Sequence, residues 1–201
     1  MDSKSKYTAS FTAGALLFQE FNSVSQFMHD DGLASVLQTE VHENKYLAIK
    51  MQSARKRIIQ EMVKRVENAP TGFWGFYTEI SEAEQKLALF YLCLKTYYLV
   101  FDFHFEVTVP KWKLHANELD VYDIQMRLDR IASDDDTVYN WSEQTKEKLI
   151  SRYRKILLEA GLMQKDQLIK PMAVSDAFWR FFIGLNEPWF IEACFYNRNE
   201  I

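Results

Sequence analysis

SEQTKEKLISRYRKILLEAGLMQKDQLIKP, residues 142–171, has the signals of one long helix followed by a short extended tail. Ser142 stands at an N-cap position, where its side-chain oxygen can accept a hydrogen bond from the first turn. Gly161 follows the last periodic residue, where helices commonly need a left-handed residue. The apolar residues recur at helical spacing and form one arc, namely Leu149, Ile150, Tyr153, Ile156, Leu157 and Ala160. This pattern predicts an amphipathic helix anchored by a buried face.

The opposite arc of this helix is cationic and polar, and it consists of Gln144, Lys148, Ser151, Arg152 and Lys155. A helix that recognises DNA needs cations for phosphates or guanine edges, and amide or hydroxyl groups for other edges. Residues 119–131 predict another amphipathic helix, SDDDTVYNW makes the turn, and QLIK (167–170) suits a wing strand. The stretch therefore predicts a winged helix-turn-helix-like unit. A plain solvated face would carry similar charges, so both interpretations stay open.

Composition indicates a mainly α protein with one domain or two small ones. The chain has 201 residues, of which 48% are hydrophobic, and it has only six Gly and four Pro. Apolar density drops near residues 110–117, so we expect an N-terminal helical bundle over residues 1–115 and the winged helix-turn-helix-like unit over residues 116–201. Two aromatic-rich helices, beginning at Ser175 and at Pro188, are expected to pack back onto the bundle.

A second basic strip lies on the long helix predicted over residues 47–66. Its cations are Lys50, Arg55, Lys56, Arg57 and Lys64. Glu61 can pair with arginines one turn away, so a solvated face is the alternative interpretation. The formal net charge of the whole chain is −4, which means that any nucleic-acid contact must come from such local patches. Binding of that kind should be modest and should weaken steeply with salt.

Residues 87–109 form a largely apolar stretch of membrane-spanning length, LALFYLCLKTYYLVFDFHFEVTV. Lys95, Asp102 and Glu106 fall on one helical stripe inside it, and charges at that density are costly in hydrocarbon. We therefore expect the central helix of a soluble, cytoplasmic bundle, extending to about Glu106, with its polar stripe facing water or a partner. Ser81 and Glu84 predict a capping box at its start.

Catalytic and metal-binding patterns are missing from the sequence. The glycines are scattered, and the motifs H-E-x-x-H, C-x-x-C and G-x-S-x-G are absent. His29-Asp30-Asp31 and Asp134-Asp135-Asp136 fit a helix-end loop and a solvated acidic turn better than a cation site. Cys93 and Cys194 lie in apolar surroundings and are expected to be buried thiols. The sequence thus predicts a protein that is not an enzyme and has no cofactor or metal.

Three blocks of the chain resemble the BrxA family of bacterial BREX phage-defence islands. They are Tyr7–Leu17, Leu92–Phe103 and Trp141–Leu162. The resemblance implies a soluble, all-helical protein with a bundle related in shape to NusB-type antitermination factors. It also implies helix-turn-helix character and binding of double-stranded DNA, alongside other BREX defence proteins. It offers no catalytic motif. The acidic balance of this chain departs from what strong DNA binding would suggest.

From these observations we expect a DNA-binding accessory protein of a BREX system. The residues on the opposite arc of the 142–171 helix would contact phosphates or base edges, and the cations of the 47–66 helix would extend the track along the DNA backbone. One alternative is a subunit that scaffolds other defence proteins without touching nucleic acid. Another is an RNA-binding factor, which a NusB-like shape would suit.

Overall fold

The computed structural model describes residues 5–28 and 32–201, and it is mainly helical, with 67% of residues in helices. The α-helices in chain order are α1 (Phe18–Ser23), α2 (Leu33–Glu43), α3 (Gln52–Glu67), α4 (Phe73–Glu79), α5 (Glu82–Thr96), α6 (Tyr98–Phe103), α7 (Val109–Lys113), α8 (Val121–Asp134), α9 (Asp136–Tyr139), α10 (Glu143–Glu159), α11 (Asp176–Gly184) and α12 (Trp189–Ala193). Two short antiparallel strands, β1 (Met163–Gln164) and β2 (Gln167–Leu168), follow α10. Short 3₁₀ helices cover Ser10–Ala13, Ser25–Phe27 and Arg198–Glu200. The predicted fold class is confirmed.

The central helical run occupies the middle of the protein. Every residue from Leu87 to Leu94 is buried, which explains why α5 is apolar on all sides. The predicted capping box is present, because the Ser81 side chain accepts from the Glu84 amide and the Glu84 carboxylate accepts from the Ser81 amide. The run is not one straight helix: Tyr97 is extended between α5 and α6, and a π-helical turn covers His104–Thr108 before α7. Within the described ranges, no helix is long and apolar enough to cross a membrane.

The polar stripe of the central run is only partly exposed, contrary to expectation. Asp102 is 5% exposed and accepts two hydrogen bonds from Arg127 of α8, at 2.6 and 2.8 Å. The Tyr7 hydroxyl donates to the same carboxylate at 3.1 Å. Asp102 therefore faces Arg127 of the same chain rather than water or another protein. A charged partner of this kind stabilises a buried carboxylate.

The N-terminal part of the chain differs from the sequence prediction. The apolar pattern of residues 13–28 predicts one helix, but residues 14–17 are not helical and separate the Ser10–Ala13 turn from α1. Leu17 has a φ of 60°, and a Cβ at Gly14 would lie 2.2 Å from a Leu17 methyl carbon. The long helix α3 begins at Gln52 rather than residue 47, and Met51, which periodicity assigns to the apolar face of this helix, is 69% exposed.

The C-terminal elements follow the predicted order closely. The Ser142 side chain accepts from the Thr145 amide, and Gly161 has a φ of 73° just after α10. The β1–β2 hairpin follows, and Glu118, just before α8, forms an isolated bridge with Gln167 of β2. Helix, short helix, helix and hairpin thus occur in the order of a winged helix-turn-helix, although this order alone does not make α10 a DNA-reading helix.

The aromatic C-terminal helices pack onto the rest of the molecule, as predicted. Their buried side chains are Phe178, Trp179, Phe182, Phe190, Ile191 and Phe195. Phe181 of α11 stacks on Phe76 of α4 with ring centroids 3.8 Å apart. The buried residues of the N-terminal and C-terminal parts belong to one continuous hydrophobic cluster. The division near residue 115 stays a prediction.

Glu84 joins two helix starts. One carboxylate oxygen accepts from the Ser81 amide and hydroxyl, at 2.9 and 2.7 Å. The other accepts from the amide and hydroxyl of Ser175, the N-cap of α11, at 2.9 and 2.6 Å. Burial by itself raises the pKa of Glu84, but the hydrogen bonds from Ser175 and Ser81 outweigh it and hold this pKa below its ordinary value of 4.5.

We expect Glu84→Gln to lower the free energy of unfolding at neutral pH by about 2–3 kcal/mol, because its amide nitrogen would face two donors. Since the folded-state pKa is lowered, the carboxylate stabilises fully above the ordinary value and loses its effect as pH falls through the folded-state value. The difference between wild type and variant should therefore shrink below about pH 4.5. Urea denaturation across pH measures it. Glu82→Gln, an exposed neighbour, should change stability by less than about 0.5 kcal/mol.

A candidate nucleic-acid interface

The two basic helices α3 and α10 meet across the N-terminal segment, by which we mean residues 10–17. A cavity of about 560 Å³ lies between them. It is lined from α3 by Arg57 and Gln60, from α10 by Lys148, Ser151 and Arg152, and from the N-terminal segment by Ser10, Thr12 and Ala13, together with Glu61 and Glu147. Cations predicted from two distant parts of the sequence therefore face one concave surface.

A second cavity of about 510 Å³ continues this surface along α10. Arg152 and Ala13 line both cavities, so the two form one groove, which we call the α3–α10 groove. Lys155 and Lys86 supply further cations to the second cavity. Sequence reasoning missed Lys86, because it lies on the central helix α5 outside both basic strips. Only its position beside α10 in the folded chain identifies it.

The side chains of the groove are available to a ligand. Lys148, Ser151 and Lys155 of α10 are exposed, and Arg152 is partly exposed. Arg57 of α3 is exposed as well. Among residues 5–28 and 32–201, no ion pair is formed by Arg57, Lys148 or Arg152, whereas Lys155 pairs with Glu159 at 3.5 Å. Free cations on a concave wall attract a polyanion more strongly than paired ones do.

One of the carboxylates that line the groove is already engaged by partners within the protein. Glu61 is nearly buried, and its two oxygens accept from Lys64 Nζ at 2.6 Å and from the Tyr97 hydroxyl at 2.7 Å. Glu20, Glu147 and Glu159 also line the groove. The lining has five cations, namely Arg57, Lys148, Arg152, Lys155 and Lys86, against four carboxylates, so it has a small positive excess in a protein with a net charge of −4. Lys86 pairs with Glu82 at 2.6 Å, outside the groove.

The remaining predicted residues lie outside the lining of the groove. Lys56 and Lys64 line a neighbouring cavity of about 540 Å³ between α2 and α3, and Gln60 belongs to both surfaces. Lys50 is exposed just before α3. Gln144 is exposed in the first turn of α10, one turn before Lys148. Lys56 and Lys64 thus extend the basic surface along α3.

Arg55 does not belong to this surface, and the prediction that placed it there is wrong. It is 6% exposed, and its guanidinium donates to the Val41 carbonyl at 3.0 Å and the Ile49 carbonyl at 2.6 Å. The signal was present in the sequence: Arg55, Ile59 and Met62 fall at i, i+4 and i+7, which places all three on the buried face of α3. The arginine closes the loop between α2 and α3.

Replacing Arg55 and its neighbour Lys56 by methionine, one at a time, should distinguish a structural side chain from an exposed one. We expect Arg55→Met to lower the free energy of unfolding by about 2 kcal/mol, because two carbonyls lose their donor. Lys56→Met, next to it but exposed, should change that free energy by less than about 0.5 kcal/mol. Chemical denaturation followed by circular dichroism measures both, and equal effects would contradict the inward placement of Arg55.

Two titratable side chains and both cysteines outside the groove have structural roles or buried positions rather than the surroundings of a reactive site. His104 is fully buried between the Tyr153 hydroxyl at 3.0 Å and the Ala193 carbonyl at 2.8 Å, and burial lowers its pKa to about 4. Asp135 caps α9, and burial raises the pKa of the thiols Cys93 and Cys194. Within the part of the chain that the structure describes, no group of three metal-ligating side chains occurs. His29, Asp30 and Asp31 lie outside the described residues.

Two comparisons with known proteins gave matches that cover most of the chain. A sequence model of the BrxA family matches residues 5–183. A search of curated proteins found no match. The crystal structure of an uncharacterized protein from Magnetospirillum magneticum is 18% identical, with a TM-score of 0.74 over 94% of this chain and 98% of that one. At this identity the likeness shows a shared fold alone.

Proposed function

The chain belongs to the BrxA family, and this membership suggests a role in BREX phage defence. From this premise we propose that the chain is a non-enzymatic component that binds double-stranded DNA. The observation that carries the proposal is the α3–α10 groove. There, Arg57 from one half of the chain and Lys148 and Arg152 from the other line one cavity without ion-pair partners in the described ranges. A surface of this kind neutralises a phosphate backbone.

The positions of the polar groups along α10 support two kinds of DNA contact, one to phosphates and one to bases. Lysine and arginine side chains contact phosphates, which orients the protein on DNA without reading sequence. In a helix-turn-helix, the N-terminal residues of the second helix contact base edges. Gln144 lies exposed in the first turn of α10 and outside the groove lining, whereas Lys148, Ser151, Arg152 and Lys155 follow along the groove. We propose that Gln144 at the start of α10 faces bases and that the groove holds the backbone.

The winged helix-turn-helix unit remains part of the proposal. It would comprise α8, α9, α10 and the β1–β2 hairpin, with the hairpin as the wing. Lys165 lies exposed in the hairpin turn, at a φ of 56°. If the hairpin touches DNA, Lys165→Glu should weaken binding by about three- to tenfold, because one phosphate contact turns repulsive. An unchanged affinity would restrict contact to α3 and α10.

A protein partner within the defence system is the second candidate, and one feature favours it. Val121, Tyr122 and Met126 on α8 are 52%, 66% and 50% exposed. Exposed apolar side chains of this size on one helix suit a protein contact. The aromatic side chains of the C-terminal helices are mostly buried and offer less surface for such a contact. Co-purification with other BREX proteins combined with no shift on DNA would support this function instead.

We expect the double variant Lys148→Glu/Arg152→Glu to weaken binding to a 30-base-pair duplex by about 100-fold, because two phosphate contacts become repulsions. Fluorescence anisotropy measures the dissociation constant. Lys113→Glu/Arg180→Glu is the matched control: it changes the net charge equally, but its residues lie outside the groove, at ion pairs on α7 and α11. Equal losses in both variants would reduce the effect to net charge and contradict the groove.

The salt dependence should report the same contacts. Neutralising about five phosphates predicts a slope near −4.5 in a plot of log affinity against log salt concentration, and removing two contacts should reduce it by about 2. Competition between the duplex and a structured RNA hairpin of equal length separates the alternatives. Stronger binding to the RNA would favour an RNA-binding factor over the proposed function.

A further inference from the structure

The N-terminal segment forms the floor of the α3–α10 groove, and side chains of both helices form hydrogen bonds with its backbone at Leu16. The Leu16 amide donates to Glu159 Oε2 of α10 at 2.9 Å. The Leu16 carbonyl accepts from Arg65 Nη1 of α3 at 2.5 Å, and the Ala15 carbonyl accepts from Arg65 Nη2 at 2.6 Å. One stretch of backbone thus connects the two helices that carry the cations.

We propose that the N-terminal segment is a strut that sets the distance between the cations of α3 and those of α10. Glu159 and Arg65 are then positioning residues for the phosphate backbone rather than contacts to it. The inference rests on the proposed DNA-binding function of the groove. It adds that the affinity depends on an uncharged segment, and on a carboxylate that a polyanion would by itself repel.

The placement of Glu159 supports this role. A carboxylate is unfavourable beside bound phosphates, because like charges repel across a groove. Leu16 is fully buried, so its amide needs an acceptor, and Glu159 supplies it. Glu147 lines the same groove from the same helix, but in the described ranges no hydrogen bond involves its side chain. Of these two carboxylates, Glu159 is the one whose position the hydrogen bonds of the described residues account for.

The backbone conformation of the N-terminal segment also needs stabilising contacts from outside the segment. Leu17 has a φ of 60°, a left-handed conformation that costs energy for a branched residue. The Ser10–Ala13 turn packs against both α3 and α10, and Ala13 lines both cavities of the groove. The strained backbone persists because hydrogen bonds from both helices fix it. Loss of one of them should let the floor relax and the cations move.

Two neutral substitutions at Glu159 separate its charge from its hydrogen bond. Glu159→Gln removes the charge and keeps an oxygen for the Leu16 amide, whereas Glu159→Ala removes both. We expect Glu159→Ala to bind the 30-base-pair duplex about fivefold more weakly than Glu159→Gln, because the amide loses its acceptor. At Glu147, the Gln and Ala variants should bind equally, each about two- to threefold more tightly than wild type, because a repulsion disappears. Anisotropy at one salt concentration measures all five proteins.

Hydrogen exchange of the free proteins provides a readout that does not involve DNA. The amides around Leu16 should exchange about tenfold faster in Glu159→Ala than in Glu159→Gln. If wild type binds DNA but the two Glu159 variants agree in affinity and exchange, the strut is overturned and the proposed function stands. If wild type fails to bind DNA, the proposed function falls, and the role of the strut in binding falls with it. Faster exchange without a difference in affinity also overturns the positioning role.

Discussion

The buried guanidinium of Arg65 is the interaction on which the architecture depends. Arg65 is 0% exposed, and it donates to the Leu16 and Ala15 carbonyls and to the Tyr97 hydroxyl. A charge without access to water is tolerated only when hydrogen bonds satisfy its donors, so the carbonyls it contacts must stay in place. Arg65 therefore fixes the N-terminal segment against α3 and against the break between α5 and α6. Because that segment also packs on α10, the same arginine determines where the two basic helices lie relative to each other.

Similar buried polar contacts connect other distant parts of the chain. Asp102 joins Tyr7 near the N-terminus to Arg127 on α8, and Glu84 joins the start of α5 to the start of α11. Each connects residues that lie far apart in sequence, and each is satisfied on both sides. Polar contacts of this kind add specificity, because a wrong arrangement would leave a buried group unpaired. They explain how a chain of short helices packs around one continuous core.

The electrostatic organisation of the surface follows from this packing. The chain is acidic overall, yet cations from α3, α5 and α10 face the same groove. Part of the negative charge is engaged inside the protein, since Glu61, Glu84 and Asp102 are buried with hydrogen-bond partners. A protein of this kind presents a local attractive field without the general affinity of a strongly basic protein. Recognition of a polyanion then depends on geometry, because only a ligand in the groove meets several cations at once.

Sequence alone determined the local features of this protein. The caps at Ser81, Ser142 and Ser175, the left-handed Gly161 and the hairpin after α10 are all present as predicted, because each depends on residues three or four positions away. The family membership was also evident from the sequence blocks. The tertiary structure alone decided that Lys86 joins the basic surface and that the Ser10–Ala13 turn packs against both α3 and α10. The physical reason is that the exposure of a charged side chain, and its distance from other charges, depend on which distant element packs beside it.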